Sequence, residues 1–455
     1  MTCPIKPLKR SLAMLLFLAG SLAAVTSSQG GGLPQEDMEY LRQLTLDVLE
    51  ASRVEPDSNG GGNWAIVNTC GFSLVTPGKD TYRSYWIRDF SMALDSGLVA
   101  DDEIRDHLIL TCRTQNGPAS RSLANGLHVP PWSIPDHINY DGRPTYYPGT
   151  YATGEDQGDG AFGHVPPIDD HYEFVHIAYR HWQSTRDTGV LLMDVDGVRV
   201  FDRLVRAFAS PTVDSVTGLA QTTETDRAIG FGFCDGVTQT GKLLFASLLR
   251  YRAAGELAEM AAAIGKPDLV PAYRLIQKTI RENLGRTFAD PAAIGGWLRA
   301  ATGLSREADV WGTLFALHLN ALEPRLASAA RATVLDALRR GVIVHEGAVR
   351  QVPTDLDFSP TTAWERARWK VNLYQNGGYW HVATGWLVEA LWETDRKQAL
   401  QLFSDMITHL RREDYRQGAG YGAPWEYFGR DGKERKNAVY LVSVALPYGI
   451  LKRLE

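Results

Sequence analysis

The segment GFGFCDGVTQTGKLLFASLLRYRAAGELAEMAAAIGK, from Gly230 to Lys266, contains the pattern from which we predict the fold. A turn rich in glycine and aromatic residues comes first. A long apolar helical pattern follows over residues 236–264, and the two residues after it lead into another helical pattern over 267–286. A long connection before one helix and a very short link after it predict a helical hairpin.

The same helical periodicity occurs along the rest of the chain, where strand signals are few. Residues 342–344 are the best short strand candidate. We predict twelve helices, near residues 35–53, 86–97, 100–114, 169–186, 196–210, 236–264, 267–286, 306–321, 325–340, 378–393, 395–412 and 437–454.

The connections between these helices alternate in length. Each link from an even to an odd helix is mostly short, whereas each link from an odd to an even helix is long. In an up-and-down array the alternate links lie at opposite ends, so the six long loops are predicted to share one face. We predict an all-α (α/α)6 toroid of six helical hairpins. An open solenoid is the alternative, but no repeated sequence period supports it.

The first residues have the pattern of a secretory signal peptide. Within residues 1–28, three basic residues precede an apolar stretch over 11–23, and small residues follow. The apolar stretch is too short to span a bilayer comfortably. We expect the signal to be cleaved, leaving a single domain over 29–455 that is secreted or periplasmic.

The net charge of the 455-residue chain is −6, and loss of the signal's basic residues makes the mature chain more acidic. This charge does not favour nucleic acid or an anionic membrane as a partner. The oligomeric state stays open.

Two acids in the long loops are candidates for catalysis. Asp235 is predicted just before a long helix, where unpaired N–H groups and the helix dipole stabilise a carboxylate. It is either an ordinary helix cap or a catalytic acid. Glu426 is flanked by aromatic residues, including Trp425, and a partly dry cleft is the usual environment for tuning a catalytic carboxylate.

Other loops carry side chains suited to binding a polar ring. Arg88 and Asp89 could grip two neighbouring hydroxyls, and Trp86 offers a flat apolar face; a structural Arg–Asp pair is the alternative. Gln375 and Asn376 offer neutral hydrogen-bonding groups. A further aromatic face belongs to Trp380. His164 and His171 fit no metal-ligand spacing, so no metal and no cofactor are predicted.

Several of these stretches resemble the six-hairpin α/α-toroid glycosidases, a group that includes glucoamylases, trehalases and neutral invertases. Residues 85–89 (YWIRD) are similar to the sugar-clamping Trp-x-Arg-Asp element. Residues 170–174 (DHYEF) resemble an "acid-then-Phe" helix, with Arg186 in place of a usual glycine further along. Residues 374–380 (YQNGGYW) are close to an Asn-Gly-Gly-x-Trp element. Asp235 stands where several of these families place the general acid, and Glu426 resembles their general base.

The resemblance implies an enzyme that hydrolyses a glycosidic bond of an oligo- or polysaccharide, with inversion at the anomeric carbon. Asp235 would be the acid and Glu426 the base. The implied sugar-holding residues are Trp86, Arg88, Asp89, Asp170, Gln375, Asn376, Trp380 and Trp425. Two alternatives stay open: a polysaccharide lyase or sugar epimerase on the same toroid, and a glycan-binding protein without activity.

Overall fold

The computed structural model describes residues 32–60, 65–289 and 295–455. The predicted signal peptide, with the first mature residues 29–31, lies outside the described residues. The chain from Leu33 to Glu455 forms one compact unit. No helix in the described part is long and apolar enough to cross a bilayer.

Helices dominate this unit, and each of the twelve predicted helices overlaps one that the structure contains. One short helix, α5, was not predicted. In chain order, the described helices are α1 (Gln35–Ala51), α2 (Ile87–Ala93), α3 (Asp101–Thr114), α4 (Asp169–Thr185), α5 (Gly189–Leu192), α6 (Val200–Ala209), α7 (Leu244–Ala263), α8 (Val270–Phe288), α9 (Val310–His318), α10 (Pro324–Arg339), α11 (Thr384–Trp392), α12 (Arg396–Arg412) and α13 (Val442–Leu451).

Six of these helices form a closed circuit of neighbours. Helix α2 packs against α4, α4 against α7, α7 against α9, α9 against α11, α11 against α13, and α13 against α2. Helices α9, α11 and α13 are buried along nearly their whole length. By contrast, α8, α10 and α12 bury only part of their surface. The core therefore lies around and between the six helices of the circuit.

Several helices begin later than predicted, because the preceding residues are used in turns and short strands. Helix α7 begins at Leu244 rather than at residue 236, since Gly241–Lys242 pairs with Gln221–Thr222. The residue that precedes the helix is Leu243, so Asp235 is not its cap. Likewise, Glu426 lies in a strand rather than directly before α13.

The strands are few in residues and short, as predicted, and they form small antiparallel sheets among the long loops. The largest sheet has five strands, and their order across the sheet is the same as their order in the sequence. The strand predicted at residues 342–344 lies at the edge of this sheet, shifted to Val344–His345. The strands are Val344–His345, Ala348–Arg350, Tyr379–Trp380, Trp425–Phe428 and Arg435–Ala438. A three-stranded sheet joins Ser84–Trp86, His137–Asn139 and Pro144–Thr145. These sheets hold the loops that carry the candidate site.

Candidate active site

A cavity of about 130 Å³ lies among the long loops. Five of the ten residues predicted for the site line it: Trp86, Arg88, Asp89, Asp235 and Glu426. The other lining residues are Tyr82, Pro148, Gly149, Gly232, Phe233, Tyr374 and Tyr440. The cavity therefore brings together three carboxylates, one guanidinium and several aromatic rings from parts of the chain that are far apart in sequence.

Arg88 is held by three buried carboxylates. Its Nε donates to Asp169 at 2.8 Å, and its Nη2 donates to Asp136 at 2.6 Å and to Asp170 at 2.7 Å. The side chain of Arg88 is almost fully buried. Burial raises the pKa of Asp170 well above its usual value, and the neighbouring carboxylates act in the same direction. Arg88 opposes this rise, so Asp170 holds its proton more strongly than an exposed aspartate but stays hydrogen-bonded to the guanidinium.

The remaining nitrogen of Arg88, Nη1, makes no hydrogen bond to any residue in the described part of the chain, and Arg88 lines the cavity. A Cβ at Gly232 would collide with the guanidinium, so this close approach requires glycine. The backbone N–H of Gly232 also donates to Asp169 at 2.7 Å. The arginine cluster thus fixes the turn that precedes Asp235.

Asp235 follows a 3₁₀ turn, Gly232–Cys234. The side chain of Gln375 bridges this turn, because its Nε2 donates to the carbonyl of Gly232 at 3.1 Å and its Oε1 accepts from the N–H of Gly236 at 2.7 Å. Burial raises the pKa of Asp235 to about 7, with Asp136 and Glu426 adding to the rise and Arg88 opposing it. This carboxyl group keeps its proton at mildly acidic pH.

Glu426 lies on the strand Trp425–Phe428 and is 2% exposed. Its Oε2 accepts from the hydroxyl of Tyr82 at 2.6 Å and from the amide of Asn437, and its Oε1 accepts from the hydroxyl of Tyr374 at 2.9 Å. Burial raises the pKa of Glu426, and these three hydrogen bonds oppose the rise. Three donors aimed at one carboxylate favour its ionised form and hold its orientation.

Two of the donors to Glu426 have a strained backbone. Tyr374 has φ 48° and Asn437 has φ 52°, in the left-handed region that side-chain-bearing residues seldom adopt. Such conformations cost about 1–3 kcal/mol each and are found preferentially at functional sites. The surrounding sheet and loops therefore stabilise a specific arrangement around Glu426.

A third carboxylate of the cavity, Asp89, accepts a hydrogen bond from the hydroxyl of Tyr440. Burial raises its pKa to about 7, and Arg88 opposes the rise. Asp89 lies one residue after Arg88 at the start of α2, so both polar side chains reach the cavity from the same turn of chain. They provide a donor and a hydrogen-bonding carboxyl group next to each other.

The other five residues predicted to contact a sugar do not line the cavity. Asp170 is buried behind Arg88, and Gln375 braces the Asp235 turn. Asn376 accepts from the backbone N–H groups of Ala363 and Trp364, which orders a neighbouring loop. Trp380 is fully buried and Trp425 half-buried, both as strand residues. Asp170, Gln375 and Asn376 thus hydrogen-bond within the protein, and direct contacts to a sugar stay a prediction for the set.

Sequence reasoning did not select four residues that complete the site: Tyr82, Tyr374, Tyr440 and Asn437. Tyr374 belongs to the YQNGGYW stretch, but only its neighbours were chosen as site residues. Tyr82 lies just before the strand Ser84–Trp86, and Asn437 lies in the strand Arg435–Ala438; the polar composition around both carries no signal of a site. In the described residues, no group of three or more His, Cys, Asp or Glu side chains is arranged to hold a metal ion.

The hydroxyl of Tyr374 permits a test of how Glu426 is tuned. Tyr374→Phe removes a donor, so the pKa of Glu426 should rise further. If the ionised form is the active one, the acid limb of the pH profile of kcat/KM should move to higher pH. Tyr421→Phe, which alters an exposed tyrosine in a neighbouring loop, is the control. An unchanged acid limb in Tyr374→Phe would show that this limb does not report the ionisation of Glu426.

Comparison with known proteins supports the fold assignment through structure alone. No protein-family profile matches the chain, and no curated protein sequence matches it. The solved structures that share its fold include three glycoside hydrolases. The GH63 mannosylglycerate hydrolase from Thermus thermophilus, in complex with glucose, is 14% identical, with a TM-score of 0.54 over 90% of this chain and 99% of that one.

The other two are rhamnosidases, each 12% identical to this chain. The rhamnosidase from Klebsiella oxytoca with rhamnose bound has a TM-score of 0.53, covering 93% of this chain and 66% of its own. The GH78 family rhamnosidase of Bacillus sp. GL1 has a TM-score of 0.52, covering 92% of this chain and 35% of its own. This chain therefore spans less than two thirds of either rhamnosidase. All three neighbours are helical glycosidases of the (α/α)6 toroid clan, and the resemblance to six-hairpin glycosidases is confirmed at the level of the fold.

Proposed function

We propose that this protein is a glycoside hydrolase, with Asp235 as general acid and Glu426 as general base. One observation carries the proposal: these two carboxyl groups line the same cavity but have different surroundings. Among the described residues no cation pairs with Asp235, and burial raises its pKa to about 7. Glu426 accepts three hydrogen bonds that favour its ionised form. A carboxyl group that holds its proton, beside a second one whose ionised form is stabilised by hydrogen bonds, is the pair that glycoside hydrolysis requires.

The reaction we propose is a single displacement with inversion. Asp235 gives its proton to the leaving oxygen as the glycosidic bond breaks. Glu426 takes a proton from a water molecule, whose oxygen attacks the anomeric carbon from the opposite side. Tyr82 and Tyr374 hold the base in place for that water. Arg88, through its Nη1, and Asp89 bind hydroxyl groups of the sugar, while Trp86 packs against its ring.

The architecture and location that go with this function are also part of the proposal. The closed circuit of six helices supports an (α/α)6 toroid, with its long loops around the cavity. Residues 29–455 would be a single catalytic domain.

The pattern in residues 1–28 supports export to the periplasm or the medium. Mass spectrometry of the exported protein should show an N-terminus near residue 29. Retention of the intact N-terminus would contradict this proposal.

The function is tested with a panel of oligosaccharides and glycosides that contains α-mannosides, α-glucosides and α-rhamnosides, sugars related to those of the structural neighbours. Proton NMR follows the configuration of the first product. A new reducing sugar of inverted configuration supports the proposal, and one of retained configuration removes Glu426 as a base. An unsaturated product would indicate a lyase, and an isomerised sugar an epimerase. Binding without any product would indicate a glycan-binding protein.

The pKa of Asp235 leads to a prediction for the pH dependence. A general acid acts only while protonated, so kcat/KM should fall as pH rises through about 7, the value to which burial raises this pKa. Asp89 has a pKa in the same range, so Asp89→Asn serves to separate the two groups. The alkaline limb should persist in Asp89→Asn. Its loss in that variant would assign the limb to Asp89 instead of Asp235.

A further inference from the structure

Beside the cavity, three arginines and a lysine lie without an acidic partner. In the described chain, Arg227, Arg366, Arg368 and Lys370 have no carboxylate oxygen within the 4 Å of an ion pair, although the protein as a whole has a net charge of −6. The adjacent acid, Glu365, accepts instead from the N–H of Ser305 at 2.9 Å. We call Arg227, Arg366, Arg368 and Lys370 the basic rim.

The backbone places the basic rim next to Asp235. The N–H of Arg368 donates to the carbonyl of Gly236 at 2.8 Å, and the N–H of Thr238 donates to the carbonyl of Arg366 at 3.1 Å. These bonds pair the rim segment antiparallel to the residues that directly follow Asp235, with Val237 opposite Ala367. The rim segment therefore borders the turn that carries Asp235.

The side chain of Arg227 also lies near the residues that follow Asp235. Its Nη1 donates to the hydroxyl of Thr238 at 2.8 Å, and its Nη2 donates to the carbonyls of Gly160 and Ala161, both at 2.7 Å. Burial lowers the pKa of Arg227, and the positive charge of Arg366 acts in the same direction. The two guanidinium groups thus repel each other, and an anion between or beside them would relieve that repulsion.

Aromatic rings connect the rim to the cavity. The guanidinium of Arg368 lies 4.6 Å from the ring centre of Phe162, and Phe162 packs against Gly149, which lines the cavity. Trp369 is 38% exposed, meets the edge of Tyr374 at 5.4 Å and leaves no room for a side chain at Gly236. A partly exposed indole that packs beside the residue after Asp235 offers a flat surface to a ligand.

We propose that the leaving group of the natural substrate carries a negative charge, a carboxylate or a phosphate, and that Arg366 and Arg368 bind it. This rests on the proposed function, because it takes Asp235 to be the residue that protonates the leaving oxygen. The sugar then occupies the cavity beside Arg88 and Asp89, and the anionic leaving group extends over Trp369 toward the basic rim. The rim is a determinant of specificity, since charge pairing there discriminates among leaving groups.

The test compares substrates that share a sugar and differ only in charge. One pair joins the sugar to lactate or to its neutral amide, lactamide. A second pair joins it to glycerol phosphate or to glycerol, which distinguishes a carboxylate from a phosphate. The ratio of kcat/KM for the charged over the neutral member is expected to be about tenfold or more, and to decrease in high salt, where exposed charges are screened.

The matched variants are Arg366→Gln/Arg368→Gln and, as control, Arg325→Gln, an exposed arginine at the start of α10 with no ion pair in the described chain. The double variant should bring the ratio close to one, and the control should retain it. A ratio near one in the wild-type protein, or a preference that survives in the double variant, overturns the proposal.

A binding measurement, which needs no turnover, distinguishes failure of the anion site from failure of the proposed function. Calorimetric titration of the Asp235→Asn protein with the same pairs reports binding even when no substrate is hydrolysed. Preferential binding of a charged member, lost on adding Arg366→Gln/Arg368→Gln, supports an anion site whether or not the protein hydrolyses glycosides. Equal binding of charged and neutral members contradicts the anion site independently of catalysis.

Discussion

Asp235→Asn is expected to lower kcat about 10³-fold on glycosides with alkyl leaving groups, within the range of about 10²- to 10⁴-fold for the loss of a general acid. The loss should be much smaller on a 2,4-dinitrophenyl glycoside, because that leaving group departs without a proton. Asn keeps the size and hydrogen-bonding character of the side chain but has no acidic proton. Steady-state kinetics on the two classes of substrate measures the difference.

Glu426→Gln is the matched comparison, since water must be deprotonated whatever the leaving group. This variant should lose activity on both classes to a similar extent. Circular dichroism and thermal unfolding check that each variant is folded. Equal losses on both substrates in Asp235→Asn would remove Asp235 as the acid, and the third carboxylate of the cavity, Asp89, would then be the residue to test.

Arg88→Met is expected to lower the free energy of unfolding by about 3–5 kcal/mol, the usual effect of removing one partner from a buried ion pair. The methionine fills much of the space but leaves Asp136, Asp169 and Asp170 without their shared cation. Urea unfolding measures the change. Arg143→Met, which removes a largely exposed arginine from its pair with Asp141, should leave stability nearly unchanged, because exposed ion pairs contribute little.

The effect of Arg88→Met should depend on pH. Burial already raises the folded-state pKa values of Asp169 and Asp170 above the unfolded value of about 3.9, and Arg88 opposes burial at Asp136, Asp169 and Asp170. Without the arginine, all three folded-state pKa values should rise further. The folded protein then binds more protons than the unfolded one, so stability falls as pH rises from that value through the folded pKa values. The deficit should be smaller near about pH 4 than near about pH 7. Adding Asp169→Asn should recover part of it, and a deficit independent of pH would show that lost packing dominates.

The helices could be predicted from sequence because their signal is local. Apolar residues at helical spacing identify each helix, and the lengths of the links between helices indicate how they alternate. The predicted starts of the helices were less accurate than their existence. Helix α7, for example, begins only after Gly241–Lys242, a short strand that pairs with Gln221–Thr222. Strand pairing between distant segments has no local signal, so the short sheets among the loops were not foreseen.

Within the candidate site, sequence alone selected the groups with distinctive chemistry: Arg88, Asp89, Asp235, Glu426 and Trp86. It also selected Asn376 and Trp380, because amide and indole side chains are equally suited to binding a ligand and to bracing a loop. Only burial separates these roles. Both residues are 0% exposed, and the oxygen of Asn376 accepts from the neighbouring backbone.

The sequence by itself determined the helical architecture and the acids worth testing, since these depend on residue type and on spacing along the chain. Tertiary structure alone decided which side chains meet. Tyr82 reaches Glu426 across 344 residues, and Tyr440 reaches Asp89 across 351. It also decided the different surroundings of Asp235 and Glu426, because burial and the donors around a carboxylate come from segments that fold together only in three dimensions.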